Sequence, residues 1–89
     1  GDSHAGEAET SVIMALDPRL VKGGAAAEWP SFPSPMLVRQ KRRYWPGGVW
    51  GDPTKASPPK GQALLTLGAD RLARIMRRLE SFEEGEPNT

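Results

Sequence analysis

The apolar residues of this chain fall into two blocks, separated by a long stretch with neither helical nor strand periodicity. The first block, Val12-Ile13-Met14-Ala15-Leu16, is continuous and follows Thr10 and Ser11, two candidate N-cap residues. Asp17-Pro18 closes it, because the residue before a proline avoids the α region and proline itself cannot continue the hydrogen bonding. The pattern predicts a short buried helix over about 11–16, apolar all round and therefore in need of cover on every side. The second block is periodic: Leu65, Ala69, Leu72, Met76 and Leu79 recur at spacings of four, three, four and three. That is one face of an amphipathic helix, opening after Ser57-Pro58-Pro59, where serine can cap and proline suits the first turn. Arg71, Arg74, Arg77 and Arg78 occupy its other faces, and the apolar stripe is expected to pack into a core.

Between the blocks, Lys22 to Pro35 places three prolines within six residues and reads as a loop or an extended arm. Met36-Leu37-Val38 reads as a short strand, Pro46-Gly47-Gly48 as a turn and Val49 to Thr54 as a second loop. The tail, residues 83–89, reads as flexible. There is no internal repeat.

Composition narrows the possibilities. With 89 residues, ten Gly, nine Pro and 37% hydrophobic residues, the chain is at most one domain and at best marginally self-supporting. The absence of cysteine excludes disulfides, thiolate metal sites and a cysteine nucleophile together. A formal charge of +1 gives little long-range attraction to nucleic acid or membrane, and no apolar run approaches the ~20 residues of a membrane span. A cytoplasmic location is expected.

Chemistry concentrates at the start of the chain. Asp2, His4, Glu7 and Glu9 place one imidazole and three carboxylates within eight residues, with Gly6 between them. Such groups ligate divalent metals and serve as general acids or bases. The same residues could equally form a solvated acidic end. With a single histidine in the chain, the three-ligand set of a catalytic zinc is hard to complete.

The stretch His4-Ala5-Gly6-Glu7-Ala8-Glu9-Thr10-Ser11, followed by Val12 to Val21, resembles the His-Ala-Gly-x-x-Glu-Thr-Ser signature and next helix of the creatininase (creatinine amidohydrolase) family. Gly48-Val49-Trp50-Gly51-Asp52-Pro53-Thr54, with Lys60-Gly61 beyond, resembles the family's later Gly-Val-x-Gly-Asp-Pro-Thr stretch. The resemblance implies an α/β fold of layered sheet and helices, of which residues 1–82 would be the C-terminal part. It also implies metal-dependent hydrolysis of a C–N bond in a cyclic or linear amide. Position by position, it implies that Glu9 is a metal ligand, that His4 is the catalytic proton-handling residue, that Asp2 contacts substrate and that Glu7 stands behind them. The implied cofactor is a divalent metal, zinc foremost, with manganese or iron as alternatives. The family's other ligands, carried by Glu-x-His, a following Asp and Asn-Gly-His, have no match in these residues.

That deficit, together with a first residue that is not Met, leads to the expectation of a cleaved precursor whose separate N-terminal chain supplies the remaining ligands. The assembled unit is expected to be a homo-oligomer, hexamers being common in the family, acting on a small-molecule or peptide amide. Two alternatives within the fold are a member repurposed for biosynthesis and a non-catalytic subunit. An alternative from another class rests on Arg39, Lys41, Arg42 and Arg43 beside Tyr44, Trp45 and Trp50, which could form a nucleic-acid-binding module. It is the weaker reading, because arginine and aromatic residues are also enriched at protein interfaces. Trp29, Phe32 and Trp45 are accordingly expected at an interface.

Overall fold

Helix α1 runs Glu7–Leu16 and begins four residues before the expected start. The reason lies outside the helix: the Asp2 carboxylate accepts from the backbone N–H of Glu7 at 3.0 Å and of Ala8 at 3.0 Å. Two of the donors that every helix N-terminus leaves open are thereby satisfied, with a negative charge at the positive end of the helix dipole. Thr10 and Ser11 are therefore inside the helix and do not cap it. Ser11 is instead fully buried, and its Oγ accepts from the Ser57 N–H at 3.1 Å. The helix stops at Leu16 as expected, with Asp17 extended before Pro18 and a single 3-10 turn over Pro18–Leu20. The predicted cover is incomplete, since Ile13 and Leu16 are exposed.

The computed structural model describes residues 1–33 and 38–82. The strand expected at Met36-Leu37-Val38 therefore lies outside the described residues except for Val38, and the tail at 83–89 lies wholly outside them. The basic stretch winds into a four-residue turn, α2, Lys41–Tyr44. A 3-10 turn over Pro53–Lys55 is capped by Asp52, whose Oδ1 accepts from the Thr54 N–H at 3.0 Å.

Helix α3 spans Pro58–Glu80, 23 residues, with the Ser57 hydroxyl accepting from the Lys60 N–H at 3.4 Å and two prolines in the first turn. α1 and α3 pack where both are thin. Gly61 is buried against the Ser11 carbonyl, and a Cβ on it would also come within 2.9 Å of the Ala15 methyl. Beside this contact, Lys60 Nζ donates to Glu7 Oε1 at 2.7 Å and to the Lys55 carbonyl at 2.7 Å.

At 1.5 Å per residue, α1 is ~15 Å long and α3 about 34 Å, so α1 covers less than half of its partner. The predicted stripe on α3 is accordingly not a core in this chain. Leu65 is half-buried, but Leu72 is 58% exposed, Met76 54% and Leu79 71%, and Ile75 beside them is 57% exposed. Val49 is the one buried large apolar side chain among the described residues. The chain exposes 7555 Å², against about 5100 Å² for a compact monomer of its mass. Among the described residues there is no extended strand, only two isolated antiparallel bridges, His4 with Trp50 and Glu28 with Gly51. The sheet layer of the expected α/β fold is thus not found in the described residues, which are helical with long connections.

Candidate active site

The bridge between His4 and Trp50 brings the two motif segments together, and the second ties Glu28 to Gly51 beside it. Ser3 and His4 N–H groups donate to the Trp50 carbonyl at 2.8 and 3.0 Å, and the Trp50 N–H returns to the His4 carbonyl at 2.8 Å. Gly6 and Gly51 meet beneath the Asp2 carboxylate so closely that a Cβ on either would overlap Asp2 Oδ1 and lie 3.1 Å from the other glycine's Cα. Gly51 adopts φ 145°, a backbone conformation open to glycine. The glycines of the two motifs are therefore one steric unit, although 45 positions separate them in the chain.

Ala5 makes the turn between His4 and the helix at φ 49°, in the left-handed region that residues with a Cβ rarely occupy. Its N–H donates to Glu9 Oε2, and its carbonyl accepts from the Thr10 hydroxyl at 3.4 Å. This tight turn folds the chain back so that His4 and Glu9 face each other, with Nδ1 to Oε2 3.8 Å. Both side chains are more than half exposed, at 58% and 62%. They line one open depression of about 340 Å³ with Ala5, Thr10, Ile13, Leu20 and Val21. Glu9 Oε1 accepts no hydrogen bond among the described residues.

Asp2 and Glu7, expected at the same site, lie elsewhere. They line a separate groove of about 420 Å³ between α1 and α3, together with Lys60, Ala63, Leu64 and Leu67. Asp2 has both oxygens on backbone N–H groups, and Glu7 is ion-paired with Lys60. The four residues read from the sequence thus separate into a facing pair, His4 and Glu9, and a second pair, Asp2 and Glu7, that contacts the first turn of α1 and Lys60.

Three further residues take part in ways their sequence context does not reveal. Glu28 pairs its backbone with Gly51 at 3.0 and 2.9 Å, and its carboxylate accepts from the Gly47 and Val49 N–H groups, each at 3.2 Å. Trp45 stands edge-to-face with the His4 ring, centroids 5.5 Å apart at 74°. Lys60 joins α3 to Glu7. A glutamate between an alanine run and a tryptophan is indistinguishable in sequence from a solvated residue, and the position of Lys60 beside the second motif does not tell that it pairs with Glu7. Trp45, a residue type enriched at interfaces, packs within the chain on Phe32, Trp50 and His4. Phe32 also meets Tyr44 at 6.3 Å, and Arg43 lies 5.7 Å over the Tyr44 ring. Trp29 is exposed.

His4 and Glu9 have the donor chemistry of a divalent-metal site but supply two donors at most. Among the described residues no three His, Asp or Glu side chains converge. The set therefore fits a metal only in part, short of the three protein ligands usual at a catalytic zinc.

The creatininase family model, described as creatinine amidohydrolase, matches residues 1–76. The chain belongs to the creatininase family. Creatininases are generally divalent-metal hydrolases, and the family implies an α/β fold. It is 34% identical over 83 residues to the mycofactocin precursor peptide peptidases of Mycobacterium tuberculosis and Mycobacterium ulcerans, covering 88% and 86% of this chain respectively. In each case 33% of the relative is covered, so the chain spans about a third of the length of the curated relatives it matches. No solved structure matches. No helix among the described residues is long and apolar enough to cross a membrane.

Proposed function

We propose that these residues form one wall of the active site of a metal-dependent amidohydrolase that cleaves an amide C–N bond, of which the peptide bond of a precursor peptide is the case nearest its relatives. The observation that carries this reading is the His4–Glu9 pair, held 3.8 Å apart at the mouth of an open depression by the Ala5 turn. A divalent ion in such a site supplies Lewis acidity toward the amide carbonyl and lowers the pKa of water. Glu9, with Oε1 unengaged and Oε2 steadied by the Ala5 N–H, provides one ligand. His4 donates a proton to the departing nitrogen, the role for which an exposed imidazole beside a carboxylate is suited. The remaining ligands come from residues beyond these 89, on the same polypeptide or another. The apolar surface of α3 is the place where further protein would be buried. A separate N-terminal chain and an oligomeric assembly are proposals on the same footing.

Asp2 acts in this reading through α1, by fixing the first turn on which Glu9 is carried, and Glu7 acts through Lys60. The test is activity of the assembled protein on a peptide amide, together with its bound metal. His4→Asn is expected to abolish turnover while metal content is kept, and Glu9→Gln to lower both. Full activity in both variants would overturn the reading.

A further inference from the structure

The His4 imidazole makes no hydrogen bond among the described residues, and Glu9 at 3.8 Å is beyond hydrogen-bonding distance. With 58% of the side chain exposed, little else restricts the ring's rotation. The surface that does meet it is the indole of Trp45, at 5.5 Å and 74°. That indole is itself fixed. Its Nε1–H donates to the Val49 carbonyl at 2.7 Å, and its ring packs against Trp50 at 5.7 Å and Phe32 at 6.2 Å. Val49 is a firm anchor, being buried, with its N–H held by Glu28 Oε1 at 3.2 Å. Its neighbour Trp50 is the residue that grips the His4 backbone from both sides. Main chain and ring of His4 are therefore located by one short segment, the first by Trp50 and the second by Trp45.

We propose that Trp45 is a positioning residue for His4: it sets the rotamer that aims the imidazole across the depression toward Glu9 and the scissile amide. This rests on the reading of His4 as the proton donor. An imidazole that wanders between rotamers spends part of its time out of reach of the leaving nitrogen, which lowers the chemical step without weakening substrate binding. The indole touches neither metal nor substrate in this role.

The experiment compares Trp45→Leu and Trp45→Phe with the parent protein, reading steady-state kinetics and the His4 imidazole proton resonances, assigned by their loss in His4→Asn. Trp45→Leu removes the ring current over the imidazole, so the His4 resonances move toward their free-peptide positions. In the same variant kcat falls about tenfold with KM changed less than about twofold. Trp45→Phe keeps a ring at the contact and loses only the bond to Val49, so it recovers most of kcat. Should Trp45→Leu fail to fold, Trp45→Phe carries the test with an expected loss in kcat of about two- to threefold and a smaller resonance shift. Three results would overturn the proposal: unchanged His4 resonances, shifted resonances with parental kcat, or a fall in kcat/KM carried by KM and equal in both variants. A fully active His4→Asn would instead overturn the catalytic reading of His4, and the resonances would still report whether the contact exists.

Discussion

Gly61 of α3 faces the carbonyl oxygen of Ser11 in α1 across a gap too small for a methyl group. The obstacle is backbone and cannot rotate away. Gly61→Ala is therefore expected to destabilise the folded protein by about 2–3 kcal/mol by forcing the helices apart. Gly68 in the same helix has nothing within 4 Å of a built Cβ, so Gly68→Ala should stabilise by about 0.5–1 kcal/mol. Chemical denaturation of the two variants measures the contrast, and equal effects would show that the α1–α3 crossing is looser than described.

Asp2 separates a capping role from a substrate role. If its carboxylate serves the first turn of α1, Asp2→Ala lowers stability by about 1–2 kcal/mol, and KM stays near the parental value in whatever enzyme remains folded. A KM effect with unchanged melting temperature would restore Asp2 to the substrate side. Melting curves and saturation kinetics on the same preparation distinguish the two.

Ala5 sits at φ 49° between His4 and the helix. Glycine fits there without strain, so relief of the left-handed penalty offsets the extra freedom of the unfolded chain, and Ala5→Gly should change stability by less than about 1 kcal/mol. Ala5→Val, with a branched Cβ in the same turn, is expected to cost about 2 kcal/mol or more and to displace His4 from Glu9. Activity should follow the same order, the parent and Ala5→Gly well above Ala5→Val.

Asp52 and Asp17 give the chain an acid-sensitive component. The hydroxyl of Thr54 beside Asp52, with its N–H and the Lys55 charge, holds that carboxyl below its ordinary value of 3.8. The guanidinium of Arg19 does the same for Asp17. A carboxyl more acidic in the folded than in the unfolded state binds fewer protons when folded. Its contribution is complete above 3.8 and is lost as pH falls below that value through the lowered one. Asp52→Asn should thus reduce stability near neutral pH and flatten its fall below pH 3.8, as followed by melting temperature against pH.

The nearness of His4 and Glu9 in the candidate site was legible because it is local. His4 and Glu9 are five positions apart, and their motif places both beside one helix start. The stop at Asp17-Pro18 and the long helix after Ser57 follow from backbone rules that need no tertiary partner. What escaped reading depends on distance along the chain. The cap of α1 comes from Asp2, outside the usual N-cap position; Ser11 looked like a cap because its burial against Ser57, 46 residues away, leaves no local trace. The apolar stripe of α3 was correctly periodic, but periodicity says only that a face wants cover, not that these residues supply it. Trp45 was identified by type alone, and its meeting with the sole histidine appears only once Val49 and Trp50 are in place.

Glu28 gives the connection a modular character. By pairing its backbone with Gly51 and holding Gly47 and Val49 with its carboxylate, it fastens both ends of the proline-rich excursion at one base. Phe32, inside the excursion, packs on both Trp45 and Trp50, so it belongs with Trp45 to the part that must be kept if the strap gripping His4 is to stay in place. The remaining positions of that excursion are free to vary in sequence while the backbone pairing at its base stays fixed.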